Sequence, residues 1–245
     1  MFKLIPIISF IAIIFCAPLS VLEEADQLNT DGKYEMELTQ LSRGLESYSD
    51  NVEILWRIAR AHFDIADQTK DEDDDKEHFY PGFEAAKKAL ELNPNSARAN
   101  HWYAVLIGKI GLLEGTEQKI INSYEVQKYG LQSIELDPNY DGTYHVMGRW
   151  HYELASLSWF ERTIAEWVYE TPPEGSFDHA ADFYRKAIST KPDEIRHHFW
   201  LGKTLIEMDE EVESKKVFNH ILIMHPMDDS DRNMQKEAKE LLEDI

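Results

Sequence analysis

Leu90-Glu91-Leu92-Asn93-Pro94-Asn95-Ser96-Ala97-Arg98-Ala99-Asn100-His101-Trp102-Tyr103-Ala104 is the stretch from which the fold can be read. An apolar residue, Leu90, stands four positions before a proline. Ten positions after that proline comes a small residue, Ala104, preceded by a larger apolar one, Tyr103. The arrangement recurs as Ile134, Pro138, Met147 and Gly148, and again as Ile188, Pro192, Leu201 and Gly202; Leu222 and Pro226 repeat its first half. Proline has no backbone N–H and clashes with the preceding turn, so it ends one helix and lets the next begin. The small residue allows two paired helices to approach closely, and the apolar positions fill the seam. The unit is a pair of helices.

The proline spacings are 44, 54 and 34 residues. The last equals the period of the tetratricopeptide repeat, and the others exceed it by lengths that read as insertions. The expected fold is all-α: a right-handed solenoid of about five tetratricopeptide-like helical hairpins with a capping C-terminal helix. The first hairpin, Val21 to Asp50, is degenerate and turns at Thr30-Asp31-Gly32. The second opens with Ile54, Leu55, Ile58, Ala59 and Phe63 and closes with Phe83, Ala86, Ala89 and Leu90. The third runs from Ala97 to Pro138, the fourth from Asp141 to Pro192 and the fifth from Ile195 to Pro226. The excess of the fourth, Glu153 to Gly175, carries Trp159, Phe160, Ile164 and Trp167 at helical spacing, an extra helix closed by Thr171-Pro172-Pro173. The polar stretch Asp228 to Glu243 suits the exposed end of the stack.

A net charge of −21 excludes nucleic acid as a partner, because phosphate binding needs a basic footprint. Part of that charge lies in Asp71-Glu72-Asp73-Asp74-Asp75. Lys76 and Gly82 stand where a calcium loop needs its glycine and its closing glutamate, so the segment Asp67 to Glu77 reads as a solvated acidic loop. The single cysteine, Cys16, allows no disulfide and no cysteine-based metal site.

From Leu4 to Leu22 there is no charge, with Lys3 before and Glu23-Glu24 after. This layout reads as a signal peptide or as an N-terminal membrane anchor over residues 1–20, ahead of a repeat domain over 21–245. Cys16-Ala17-Pro18-Leu19-Ser20 is a poor cleavage site, and Lys3 would remain cytoplasmic.

The run His145-Val146-Met147-Gly148-Arg149-Trp150-His151-Tyr152-Glu153-Leu154-Ala155 resembles a signature of the regulator of microtubule dynamics family. So does its continuation Trp159-Phe160-Glu161-Arg162-Thr163-Ile164-Ala165, ending at Thr171-Pro172-Pro173. Trp102-Tyr103-Ala104, Gly111, Gly115 and Lys119-Ile120 match the same family in order and spacing. The resemblance covers Leu22 to the C-terminus. It implies a helical-repeat fold, no enzymatic activity, association with microtubules and the mitotic spindle, and for one member a membrane-anchored place at organelle contacts.

In such repeats the first helix of each pair lines the concave face. Counting from the small residue places Glu53, Trp56, Arg57, Arg60 and Phe63 there, then Arg98, His101, Trp102, Val105 and Lys109. His145, Val146, Arg149, Tyr152 and Glu153 follow, with Arg196, Phe199, Trp200 and Lys203 last. An acidic chain thus gathers cations on one inner surface. One reading is a groove for an acidic or carboxylate-bearing partner, such as a tubulin tail, carried by Arg57, Arg60, Arg98, His101, Trp102, His145, Arg149, Arg196, Trp200 and Lys203. The other is that these cations pair with acids of neighbouring helices and stiffen the solenoid. An anionic phospholipid headgroup fits the same groove, which makes a membrane-anchored lipid-binding or transfer module the alternative function.

No HExxH, Gly-rich phosphate loop or Gly-x-Ser-x-Gly elbow occurs, so an enzyme and a bound cofactor are not expected. His197 and His198 diverge on a helix, and His145 and His151 are off the spacing that shares a helix face, so metal ligation is not expected either. The remaining tryptophans read as core.

Overall fold

The computed structural model describes residues 8–69, 72–168 and 173–245. Among them every regular element is a helix, and the chain divides into two compact units, the first ending at Pro94 and the second covering Asn95–Ile245.

The first unit holds α1 (Ile8–Thr30), α2 (Tyr34–Ser47), α3 (Val52–Thr69) and α4 (Glu72–Leu92), each packed on the next. Ala25, Leu41, Ile54, Ile58 and Ala61 form its buried core, with Leu22, Leu38, Leu45 and Tyr48 against them. The turn expected at Thr30-Asp31-Gly32 is there. Gly32 has φ +69°, and Lys33 N donates to Leu28 O while Gly32 N donates to Asn29 O, which closes α1 as a Schellman motif. One helix runs from Ile8 to Thr30, through the expected boundary at residue 20. Among the described residues no helix is long and apolar enough to cross a membrane.

The acidic segment is a correction. α3 continues to Thr69 and α4 already begins at Glu72, so most of the expected loop is helix; Asp71 lies outside the described residues. The physical reason is the helix dipole, which favours negative charge in a first turn and makes an acidic run a good helix start. Pro81 sits inside α4, where its missing N–H costs one helical hydrogen bond without ending the helix.

The second unit holds three hairpins: α5 (Ala97–Glu114) with α6 (Thr116–Leu136), α7 (Asp141–Ala155) with α9 (Phe177–Thr190), and α10 (Ile195–Glu207) with α11 (Glu211–Ile221). α12 (Asp229–Asp244) covers α10 and α11, as expected of the cap. Side-chain caps start several helices: Ser96 Oγ accepts from Ala99 N, Ser176 Oγ from His179 N and Asp228 from Asp231 N. The small residues do what their positions imply. A Cβ on Gly148 would stand 2.6 Å from the Tyr184 ring of α9, and one on Gly202 2.5 Å from the Phe218 ring of α11.

The insert contains α8 (Trp159–Val168), packed on α6. Ser158 and Glu161 form a capping box at its start, and Arg162 donates to the carbonyls of Leu157 and Ala155, tying α8 to the end of α7. Thr171 and Pro172, expected to close it, lie outside the described residues. Trp159 and Trp167 are not core: they are 80% and 89% exposed. Both tryptophans fall off the face that α8 lays on α6.

Candidate functional site

The cations expected on the inner face divide between the two units. In the first, α3 carries Trp56, Arg57 and Arg60. Arg57 donates through Nε and a terminal nitrogen to both oxygens of Asp26 on α1, at 2.9 and 2.8 Å, and pairs with Glu53 on its own helix. Arg60 donates to Asp26 at 2.8 Å and to Glu37 of α2 at 2.6 Å. Glu37 is fully buried and also accepts from Asn29. Burial pushes the Glu37 carboxyl up, only partly offset by Arg60; at Asp26 burial would raise the carboxyl too, but the hydrogen bonds from both arginines outweigh it. The guanidinium of Arg57 lies 4.0 Å from the ring centroid of Trp56, itself buried. Arg57 and Arg60 are therefore structural ties between α1, α2 and α3, and present no open charge.

The second unit brings together the rest. On α10, Arg196, Trp200 and Lys203 recur at helical spacing, while Ile195, Leu201, Gly202 and Leu205 turn into the core. On α7, Arg149 and Glu153 share a face one turn apart. The Arg149 guanidinium lies 3.6 Å from the centroid of the Trp200 ring and donates to Glu153 at 2.6 Å. Lys119 of α6 reaches the other Glu153 oxygen at 3.4 Å. Lys203 Nζ is 5.0 Å from the Trp200 centroid and 3.0 Å from Glu237 on α12. Tyr152 meets Trp200 edge-on. The result is a strip across α6, α7, α10 and α12 in which cations alternate with one aromatic plate and two carboxylates.

Arg98 makes a second centre. Its guanidinium lies 3.3 Å from the centroid of Tyr140, and Asp137 is 3.8 Å away. Arg196 has Glu194 at 3.7 Å. His101, Trp102 and His145, expected on the surface, are buried beneath it. His101 contacts Thr143 at 3.1 Å, and His197 bridges Asp141 at 2.9 Å and His145 at 3.1 Å. Burial holds all three imidazoles below their usual range, His101 at about 3, despite the Asp141 carboxylate beside His197. Neutral His197 donates from Nε2 to Asp141, so its Nδ1 accepts and His145 donates from Nδ1. His145 and His197 stitch α7 to α10, and His101 joins α5 to α7.

Among the buried donors of this region, Arg149 Nε, the Tyr184 hydroxyl and one terminal nitrogen of Arg98 have no acceptor. Sequence counting missed Tyr184, Tyr140 and Glu237 because they come from second helices, the connecting turn and the cap. Gly148 to Tyr184 is 36 residues and Gly202 to Phe218 is 16, and the difference of 20 is the insert of the fourth repeat; with it removed, Tyr184 takes the place of Phe218, a polar aromatic ring in place of an apolar one. Among the described residues no group of three His, Cys, Asp or Glu could hold a metal ion.

Stacked helical hairpins whose first helices present charge and aromatic rings define a tetratricopeptide-type protein-interaction scaffold. A family model described as Regulator of microtubule dynamics protein 1-3 matches residues 21–245, and the chain belongs to that family. It is 33% identical over 224 residues to Regulator of microtubule dynamics protein 1 of Bos taurus, covering 91% of this chain and 70% of the relative. To Regulator of microtubule dynamics protein 3 of Rattus norvegicus it is 27% identical over 224 residues, 90% of this chain and 48% of that protein. A crystal structure of a thermophilic TPR protein in Thermus thermophilus shares the fold, with TM-score 0.68, 16% identity and coverage of 90% and 97% of the two chains.

Proposed function

We propose that this chain is a non-enzymatic interaction protein that takes an acidic segment of a partner, with the tubulin tail as the leading example, on the face of the second unit formed by Arg98, Arg149, Arg196, Trp200 and Lys203. The observation that carries the reading is the placement of the Arg149 guanidinium over the Trp200 ring and of the Arg98 guanidinium over the Tyr140 ring. A guanidinium fixed on an aromatic plate keeps its in-plane N–H edge available for a carboxylate and has lost its rotamer freedom beforehand. The family name supports a cytoskeletal role. The overall charge of −21 requires the basic character to be local, because long-range steering would repel an acidic partner.

Co-sedimentation with microtubules tests it. The full chain should pellet with microtubules at low salt and progressively less as salt rises. A chain that stays in the supernatant at low salt, with the tubulin tails intact, contradicts direct association.

A further inference from the structure

Every cation on this face of the second unit has an acid of the same chain near it, and one of those pairings differs from the rest. Glu153 takes Arg149 at 2.6 Å on one oxygen and Lys119 at 3.4 Å on the other. Burial would raise this carboxyl, but Arg149 and Lys119 together hold it below its usual range. Glu153 is thus bound as a ligand carboxylate would be, by two cations from two helices, beside an aromatic plate. The site is still short of acceptors with Glu153 in place: Arg149 Nε and the hydroxyl of the wholly buried Tyr184 have none, and Tyr184 lies within electrostatic reach of both Arg149 and Glu153.

We propose that Glu153 is an internal stand-in that closes a carboxylate subsite of Arg149 and Lys119, and that an acidic side chain of a peptide partner displaces it. This rests on the reading of the face as an acidic-segment groove and names the residue that limits its affinity. Displacement needs no helix movement. Glu153 is one turn from Arg149 on α7 and about one-third exposed, so rotation of its own side chain into solvent vacates the subsite. Arg149 stays in position when Glu153 leaves, because Trp200 fixes its guanidinium from α10. While Glu153 is bound, the competent fraction of the protein is reduced, and apparent affinity falls in proportion.

The test uses the full chain and a short fluorescein-labelled oligoglutamate peptide, read by fluorescence anisotropy at low salt. Glu153→Gln should bind about fivefold tighter than the unaltered chain. Glu153→Asp keeps the charge but shortens the reach to Arg149, and it should also bind more tightly. This separates displacement from a general change in net charge and serves if the glutamine variant folds poorly. Glu135→Gln, an exposed change on α6 away from the strip, should leave affinity unchanged. Arg149→Gln should weaken binding in both the native and the Glu153→Gln backgrounds. If the unaltered chain binds and neither Glu153 variant binds more tightly, the stand-in is overturned while the groove survives. If none of these chains binds the peptide, both fall.

Discussion

The guanidinium of Arg149 on α7 stands 3.6 Å from the ring centroid of Trp200 on α10, joining consecutive hairpins of the second unit through one cation and one ring. Such a contact contributes roughly 0.5–2 kcal/mol depending on its desolvation. Trp200→Ala should lower the melting temperature and also weaken peptide binding, whereas Trp200→Phe should retain most of both. Equal loss with alanine and phenylalanine would show that the ring does not position Arg149.

Arg60 is the opposite kind of cation. It meets Glu37, which has no solvent exposure at all. Arg60→Ala strands that carboxylate and should cost about 3–5 kcal/mol in chemical denaturation. Glu37→Gln should cost much less, because burial already pushes this carboxyl up and a neutral group is tolerated there. A small effect of Arg60→Ala would mean that the first unit opens to water at this seam.

Close approach at Gly202 sets a third expectation. Alanine gains up to about 1 kcal/mol over glycine from helix propensity. Its Cβ would stand 2.5 Å from the fully buried Phe218 ring, and overpacking of that kind costs about 1–3 kcal/mol. Gly202→Ala should therefore be net destabilising in a thermal melt. A neutral or stabilised variant would show that Phe218 has room to move.

Histidines make the chain acid-sensitive. His62 pairs with His78 at 3.0 Å and is held at about 4 by burial, His151 meets His179 edge-on and is also held at about 4, and His101 is held at about 3. Folded values below the unfolded one mean that the unfolded chain binds protons first, so their stabilisation is full above pH 6.5 and is lost as pH falls towards 4. Glu37, with its raised carboxyl, works in the other direction. Melting temperatures should fall steadily between pH 7 and pH 5, and a flat profile over that window would contradict buried neutral imidazoles.

Asp209 is a backbone test. It has φ 59° and closes α10 as a Schellman motif, with Glu210 N donating to Leu205 O and Asp209 N to Ile206 O. Glycine adopts this conformation without a Cβ penalty, so Asp209→Gly should stabilise by about 0.5–1 kcal/mol, read as a higher denaturation midpoint. A lower midpoint would mean that the aspartate side chain contributes more than the backbone loses.

The prolines, Gly148 and Gly202 made the hairpins legible, because helix termination and close approach are local demands that only certain residue types meet. The acidic run misled, since charge alone does not separate a solvated loop from a helix start, and the start of α8 is set by the Ser158–Glu161 capping box, which the spacing of its tryptophans does not carry. Helical spacing identified the residues of α7 and α10 that share a face. It could not say that His101 and His145 are buried under it, or that Arg57 and Arg60 are already taken by Asp26 and Glu37. Those partners lie on other helices, and pairing across helices leaves no periodic trace.

The most direct measurement is the charge reversal of Arg98 and Arg149 together. Arg98 and Arg149 are each about one-third exposed in their side chains, so their ion pairs contribute only about 0–1 kcal/mol apiece. The double variant Arg98→Glu, Arg149→Glu should stay folded, melting lower only by the loss of the two cation–ring contacts, and should fail to co-sediment with microtubules at low salt. A variant that melts far lower would make both arginines structural ties like Arg60, and one that is fully folded and still pellets with microtubules would contradict the groove outright.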